Sequence, residues 1–95
     1  MGEDKQRLLE TERVLRALGN RRRLVILQLL QRRGPTAVGT IAENIRLSFA
    51  ATSRHLRVLA NADLVDSEQT STTVNYTLPK DRHSLLIATL KALST

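Results

Sequence analysis

Arginines, hydroxyls and two histidines are the side chains here with chemistry to offer, and their spacing argues against catalysis. Ser53 and His55 stand two apart on a stretch that reads as helix, so they point away from each other, and the other histidine, His83, lies in a different segment. No nucleophile, base and orienting acid can be assembled from them. Glu10 and Glu12 are likewise two apart on a solvated face, which removes the paired-carboxylate reading, and no Gly-rich phosphate loop is present. The sequence contains no cysteine, which excludes disulfides, thiolate metal sites and thiol catalysis. The expectation is a protein that is not an enzyme and carries no cofactor.

What remains is charge. Between Arg13 and Arg57 stand ten arginines and one acid, Glu43, a local excess of nine positive charges. Between Val58 and Pro79 there is no Lys or Arg, only Asp63, Asp66 and Glu68. A basic block beside an acidic one makes a polarised surface, and cationic surfaces on small domains commonly meet phosphate backbones. Charge alone equally fits a solvated, arginine-rich helical face. Only Phe49 and Tyr76 are aromatic, which disfavours single-strand binding on stacking platforms.

The elements that must position these arginines follow from hydrophobic period. At 95 residues the chain suits one domain, residues 1–95, and a core this thin favours an oligomer that hides more apolar area. Leu8, Thr11, Val14, Leu15 and Leu18 recur at helical spacing, predicting a first helix from Lys5 to Leu18, stopped by Gly19. Asn20 then caps a second helix over Arg21 to Arg33, burying Leu24, Ile26, Leu27 and Leu30 and ending at Gly34-Pro35. After an extended link, Thr36-Ala37-Val38, a third helix runs from Gly39 to Ile45, with Thr40-Ile41-Ala42-Glu43 resembling a capping box. A tight turn at Arg46-Leu47 leads to Ser48, an N-cap, and a fourth helix from Phe49 to Ala62. The period then changes to two, with Val65, Ser67 and Gln69 answered by Val74, Tyr76 and Leu78 across Thr70 to Thr73, a β-hairpin. Leu85, Leu86, Leu90 and Leu93 form a last helix from about Asp81, which serves as its cap.

The predicted fold class is therefore mainly α with a small β-hairpin wing: a winged helix-turn-helix of order α-α-(β)-α-α-β-β-α, whose fourth helix enters the DNA major groove. With Thr52, Leu56 and Leu59 facing the core, the fourth helix presents Ala50, Ala51, Ser53, Arg54 and Arg57. Small residues let the helix approach base edges, Ser53 donates or accepts, Arg54 reaches guanine or phosphate, and Arg57, one turn on, meets a phosphate. Arg22 and Arg23 at the start of the second helix are placed for phosphates, reinforced by the helix end. Ser48 completes the candidate DNA-binding set on this side.

These residues carry a family resemblance. Asn20 to Leu30, Thr40-Ile41-Ala42-Glu43, Leu47 to Leu59 and Ala62-Asp63-Leu64-Val65 are similar to ArsR-type (ArsR/SmtB) repressors, and the Ser53-x-His55-Leu56-x-Val58-Leu59 stretch is the most specific part. The resemblance spans Leu15 to Leu78. It implies a homodimeric winged-helix repressor of a palindromic operator, paired through its first and last helices and released by an effector whose identity the chain does not reveal. The dimer residues are then expected at Leu8, Leu9 and Leu15 with Leu86, Leu90 and Leu93, and two apolar stripes that a small core cannot all cover point the same way. Ser53, Arg54 and Arg57 align with the family's DNA-reading helix and Arg23 with its characteristic second-helix arginine.

Three departures matter. Arg46 stands where the family's turn usually has Gly, and Thr52 replaces a buried aliphatic, so its hydroxyl must bond a carbonyl one turn back. The wing offers Asp66, Glu68 and Thr70 to Thr73 where family wings carry basic residues, leaving a hydroxyl contact from Thr72 or Thr73 as its expected contribution. Metal-sensing members bind through cysteines or through Asp, His and Glu on the last helix. Asp81-Arg82-His83 resembles the opening of that site, but the position eleven past His83 is Ser94, so no metal site is expected.

The acidic N-terminus, Met1-Gly2-Glu3-Asp4, and the shortness of the longest apolar run, Leu24 to Leu27, predict a cytoplasmic, nucleoid-associated protein with no membrane partner. Two other readings stay open: a winged-helix module that binds protein, and a non-specific coat on chromosomal DNA.

Overall fold

A computed structural model of the chain describes residues 2–94. Helix α1 (Gly2–Leu18) and α2 (Arg21–Arg33) are followed by a short strand β1 (Thr36–Ala37), then α3 (Val38–Ile45), α4 (Phe49–Asn61), strands β2 (Asp66–Thr70) and β3 (Thr73–Thr77), and α5 (Ser84–Leu93). The predicted order is reproduced. The extended link is a true strand: Thr36 pairs with Tyr76 and Ala37 with Asn75, so β3 is the centre of an antiparallel sheet of order β1-β3-β2. Between the hairpin strands the register runs from Asp66↔Thr77 to Thr70↔Thr73.

One cluster of buried side chains draws on every helix, with Ile26, Leu27, Leu30, Ile41, Leu56, Leu59, Leu64 and Leu86 all fully buried. Helix α5 packs on α1 and α2, while α3 and α4 pack on each other and set the angle of the reading helix. No helix among the described residues is long and apolar enough to cross a membrane.

Local chemistry fixes the boundaries. Asn20 caps α2 as expected, its Oδ1 accepting from Arg23 N at 3.1 Å. Gly34 closes that helix at φ 76, donating its N–H to Leu30 O at 2.8 Å, a positive-φ conformation that glycine adopts without strain.

Three expectations are corrected, and α1 sorts its apolar residues. The capping box does not form, because β1 pairing carries the chain into α3 at Val38, one residue ahead of the expected start: Ala37 is the N-cap and Thr40 already lies inside the helix. Helix α5 begins at Ser84, and the cap is His83, whose Nδ1 accepts from Leu85 N at 3.0 Å, leaving Asp81 in the preceding loop. Strand β2 buries nothing, since its five residues are all exposed, and the inward-facing Val65 precedes it. In α1 the buried residues are Val14, Ala17 and Leu18, while Leu8 and Leu15 point to solvent.

Candidate nucleic-acid interface

Helix α4 is held by its own side chains in a way that dictates what it shows. Ser48 Oγ accepts from Ala51 N at 3.1 Å, which fixes the helix start and leaves the hydroxyl proton and one lone pair for further partners. Thr52 is fully buried and donates from Oγ1 to Ser48 O at 2.8 Å, so the departure from an aliphatic core residue is satisfied as its chemistry required. With Thr52, Leu56 and Leu59 inward, Ala50, Arg54 and Arg57 stand exposed and Ala51 and Ser53 are half-buried on the flanks.

Arg22 is exposed at the start of α2 and lines an open cleft of about 560 Å³ with Asn20, Arg21, Val25, Ile45 and His55. The second-helix arginines and the reading helix thus border the same depression. On the opposite flank of α4, Ser53 shares a second cleft, about 420 Å³, with Phe49 and with Thr72 and Thr73 of the hairpin. Arg22 and Thr72, fifty positions apart, thus each share a cleft with a residue of α4, His55 for the first and Ser53 for the second.

Arg23 is the exception. Its guanidinium turns inward, donating from Nε to Ala17 O at 2.7 Å and from Nη2 to Arg16 O at 3.2 Å, with Nη1 3.2 Å from His55 Nδ1. The carbonyls at the end of α1 have no partner within their own helix, and Arg23 supplies one. Through these bonds the side chain fastens α1 to α2 and α4. Burial lowers its pKa from the ordinary value. His55 is likewise lowered, first by burial and then by the positive charges of Arg23, Arg22 and Arg54, which favours a neutral ring that accepts at Nδ1.

Among the described residues the one ion pair joins exposed Arg16 and Glu12 at 3.2 Å. Arg22, Arg54 and Arg57 are therefore not neutralised by carboxylates of their own chain, and the surface they share is complementary to an anion.

The apolar candidates divide sharply. Leu8 is 69% exposed, and Leu9 and Leu15 are also largely exposed on α1. Leu86 and Leu90 are buried inside the protomer and Leu93 is half-buried, so α5 offers Ile87, 51% exposed, in their place. A one-position shift of the helical face accounts for the difference: α5 uses its Leu86/Leu90 edge to cover α1 and α2. No group of three or more His, Cys, Asp or Glu among the described residues is arranged to hold a metal ion. Sequence reasoning also passed over Phe49, which is 63% exposed. Its signal was an aromatic residue at the first helical position, outside the Thr52/Leu56/Leu59 stripe.

Comparison with known proteins agrees with this geometry. The family described as "Bacterial regulatory protein, arsR family" matches residues 20–67. The HTH-type transcriptional regulator YgaV of Escherichia coli K12 is 32% identical over 78 residues, 82% of this chain and 79% of its own. Among solved structures, NolR from Sinorhizobium fredii superposes with a TM-score of 0.82 at 30% identity, covering 99% of this chain and 90% of NolR. The Mycobacterium bovis fragment Mb0332, described as a homodimeric winged helix-turn-helix DNA-binding domain, gives a TM-score of 0.80 at 28% identity, covering 95% of this chain and 80% of that one. From the stretch Asn20 to Ser67, which carries both the α3–α4 turn and the exposed arginines, to the architecture that frames it, the chain belongs to the ArsR family of bacterial regulatory proteins and is a transcriptional regulator of winged helix-turn-helix fold.

Proposed function

We propose that the chain acts as one domain, paired with a second copy through α1 and α5, and represses transcription by binding a palindromic operator in duplex DNA. The observation that carries this reading is the unneutralised arginine face: Arg54 and Arg57 on α4 and Arg22 at the start of α2, with Ala50 and Ala51 small enough for close approach. Ser48, Ser53 and Thr72 add hydroxyls on the same side. The description of Mb0332 as homodimeric and DNA-binding supports the same assembly. Such a protein works in the cytoplasm, on the nucleoid, without cofactor or membrane.

Selection of bound duplexes from a random pool tests it. Recovery of a two-fold symmetric site is expected, with log K falling about 0.9 per neutralised phosphate as log salt rises. The acidic strand, Asp66 and Glu68, favours a second reading in which the module binds a basic protein surface. In that case no duplex is enriched and the salt dependence is shallow. A steep salt slope without enrichment identifies non-specific coating.

Metal is not the effector in this proposal. His83 Nδ1 is spent on capping α5, and Asp81 lies in the loop before it. Zinc is expected to leave operator affinity unchanged, and stoichiometric binding tighter than micromolar that His83→Ala abolishes would defeat the expectation.

A further inference from the structure

Phe49 is the aromatic ring that the core leaves bare, at 63% exposure, and it opens the helix whose N-terminal residues approach bases in this architecture. Its direction is fixed by helical geometry. The core takes Thr52, Leu56 and Leu59, Arg54 stands opposite them, and Phe49 and Ser53, one turn apart, share the flank between. That flank faces the hairpin, where Phe49 and Ser53 wall a cleft of about 420 Å³ with Thr72, Thr73 and Tyr76. The lining contains hydroxyls and apolar surface and no charged side chain.

A side chain on the flank of a helix in the major groove meets the wall of the groove, whereas one at the crest meets its floor. The C5 position of a pyrimidine stands at that wall, beside its own backbone, and thymine carries a methyl group there. An apolar ring gains from covering a methyl, and the uncharged hydroxyls of Ser53, Thr72 and Thr73 are suited to phosphate oxygens of the same strand. The arrangement also gives the acidic wing a use that needs no cation.

We propose that Phe49 reads the C5-methyl group of a pyrimidine, thymine or 5-methylcytosine, at the wing-side edge of each half-site. The inference rests on the DNA-binding reading above. It assigns specificity to a flank whose cleft carries no charged side chain, and it makes base composition legible through one methyl.

The selected duplexes are remade with deoxyuridine in place of thymine, one position at a time, a change that removes the methyl and keeps the base pair. Binding is measured by anisotropy for the wild type, Phe49→Ala and Phe49→Leu, with circular dichroism confirming the fold that an exposed position should leave intact. At one thymine per half-site the wild type should lose about fourfold, and about fifteenfold when both half-sites are changed. Phe49→Ala should bind the thymine and uracil duplexes equally, and Phe49→Leu should keep part of the ratio. A second arm compares cytosine with 5-methylcytosine at that position. A matching gain there assigns the methyl in either base, and no gain assigns thymine as the sole source. Indifference of the wild type to uracil at every position, or a Phe49→Ala protein that keeps the wild-type ratio, overturns the proposal. Failure to enrich any duplex overturns the DNA-binding reading instead.

Discussion

Each arginine's partners decide what its removal does. Arg54 is exposed on the reading face, and a bidentate contact from it to guanine is worth about 1–3 kcal/mol of discrimination. Arg54→Ala should therefore relax preference at one base pair per half-site, while Arg22→Ala should weaken all duplexes alike and lower the salt slope by about 0.9 for each phosphate it no longer neutralises. A binding series over single-base variants and several salt concentrations separates them, and an Arg54→Ala protein that keeps the wild-type ranking would make Arg54 a backbone contact. Arg23→Ala should cost stability of about 1–3 kcal/mol by freeing the carbonyls of Arg16 and Ala17, read as a lower urea midpoint in the absence of DNA. His55 adds a pH signature. Its folded pKa lies below the ordinary imidazole value, so the unfolded chain binds the proton more readily. The contribution is complete above about pH 6.5 and is lost as pH falls through the depressed value. His55→Gln should flatten this dependence, and equal acid sensitivity in the two proteins would remove His55 as its source. Arg54 and Arg57 were legible because they fall opposite an apolar stripe at helical spacing. The inward turn of Arg23 was not, because it depends on how α1 and α4 come to rest against α2, which brings it the carbonyls of Arg16 and Ala17 and, from 32 positions away, His55.

The turn between α3 and α4 holds Arg46 at φ 56, with Arg46 N bonding Glu43 O at 3.3 Å and Leu47 N bonding Ala42 O at 3.1 Å. This is the two-bond closure of a helix C-terminus that favours glycine, and an arginine adopts it at a steric cost. Arg46→Gly should raise stability by about 0.5–1 kcal/mol with an unchanged urea m-value, and a lowered midpoint would show that the exposed side chain contributes more than its backbone costs. Asp63 at φ 59 closes α4 in the same manner, with Leu64 N on Leu59 O at 2.9 Å, and thereby drops Leu64 into the core before the hairpin starts. The helices were readable because each repeats an apolar stripe over two turns or more. Their starts were less so. Whether Thr40 caps α3 depends on β1 pairing with a strand some forty residues later, and whether Asp81 or His83 caps α5 depends on where the chain leaves Leu78 and Pro79, both buried.

Apart from Phe49 on α4, the most exposed large apolar side chains are Leu8, Leu9 and Leu15 on α1 and Ile87 on α5, and that distribution offers a test of assembly free of folding effects. Leu8→Glu combined with Ile87→Glu should yield folded monomers at micromolar concentration by sedimentation, because neither side chain supports the protomer core. Leu86→Glu, by contrast, should unfold the chain, since it places a charge in a fully buried site. A double variant that stays dimeric would move the interface elsewhere. The apolar stripes of α1 and α5 were legible, yet which edge of α5 faces out was decided by packing against α1 and α2, a choice invisible in the period itself. The hairpin carries a consequence of another kind. β2 is an edge strand whose Asp66, Ser67, Glu68, Gln69 and Thr70 are all exposed, so it presents backbone hydrogen-bonding groups flanked by polar and negative side chains. Stacked strand on strand, copies would set Asp66 and Glu68 against one another in a repeating array of like charge, which discourages growth of a shared sheet. Crowded copies thus have a poor route to fibrous aggregation through the wing.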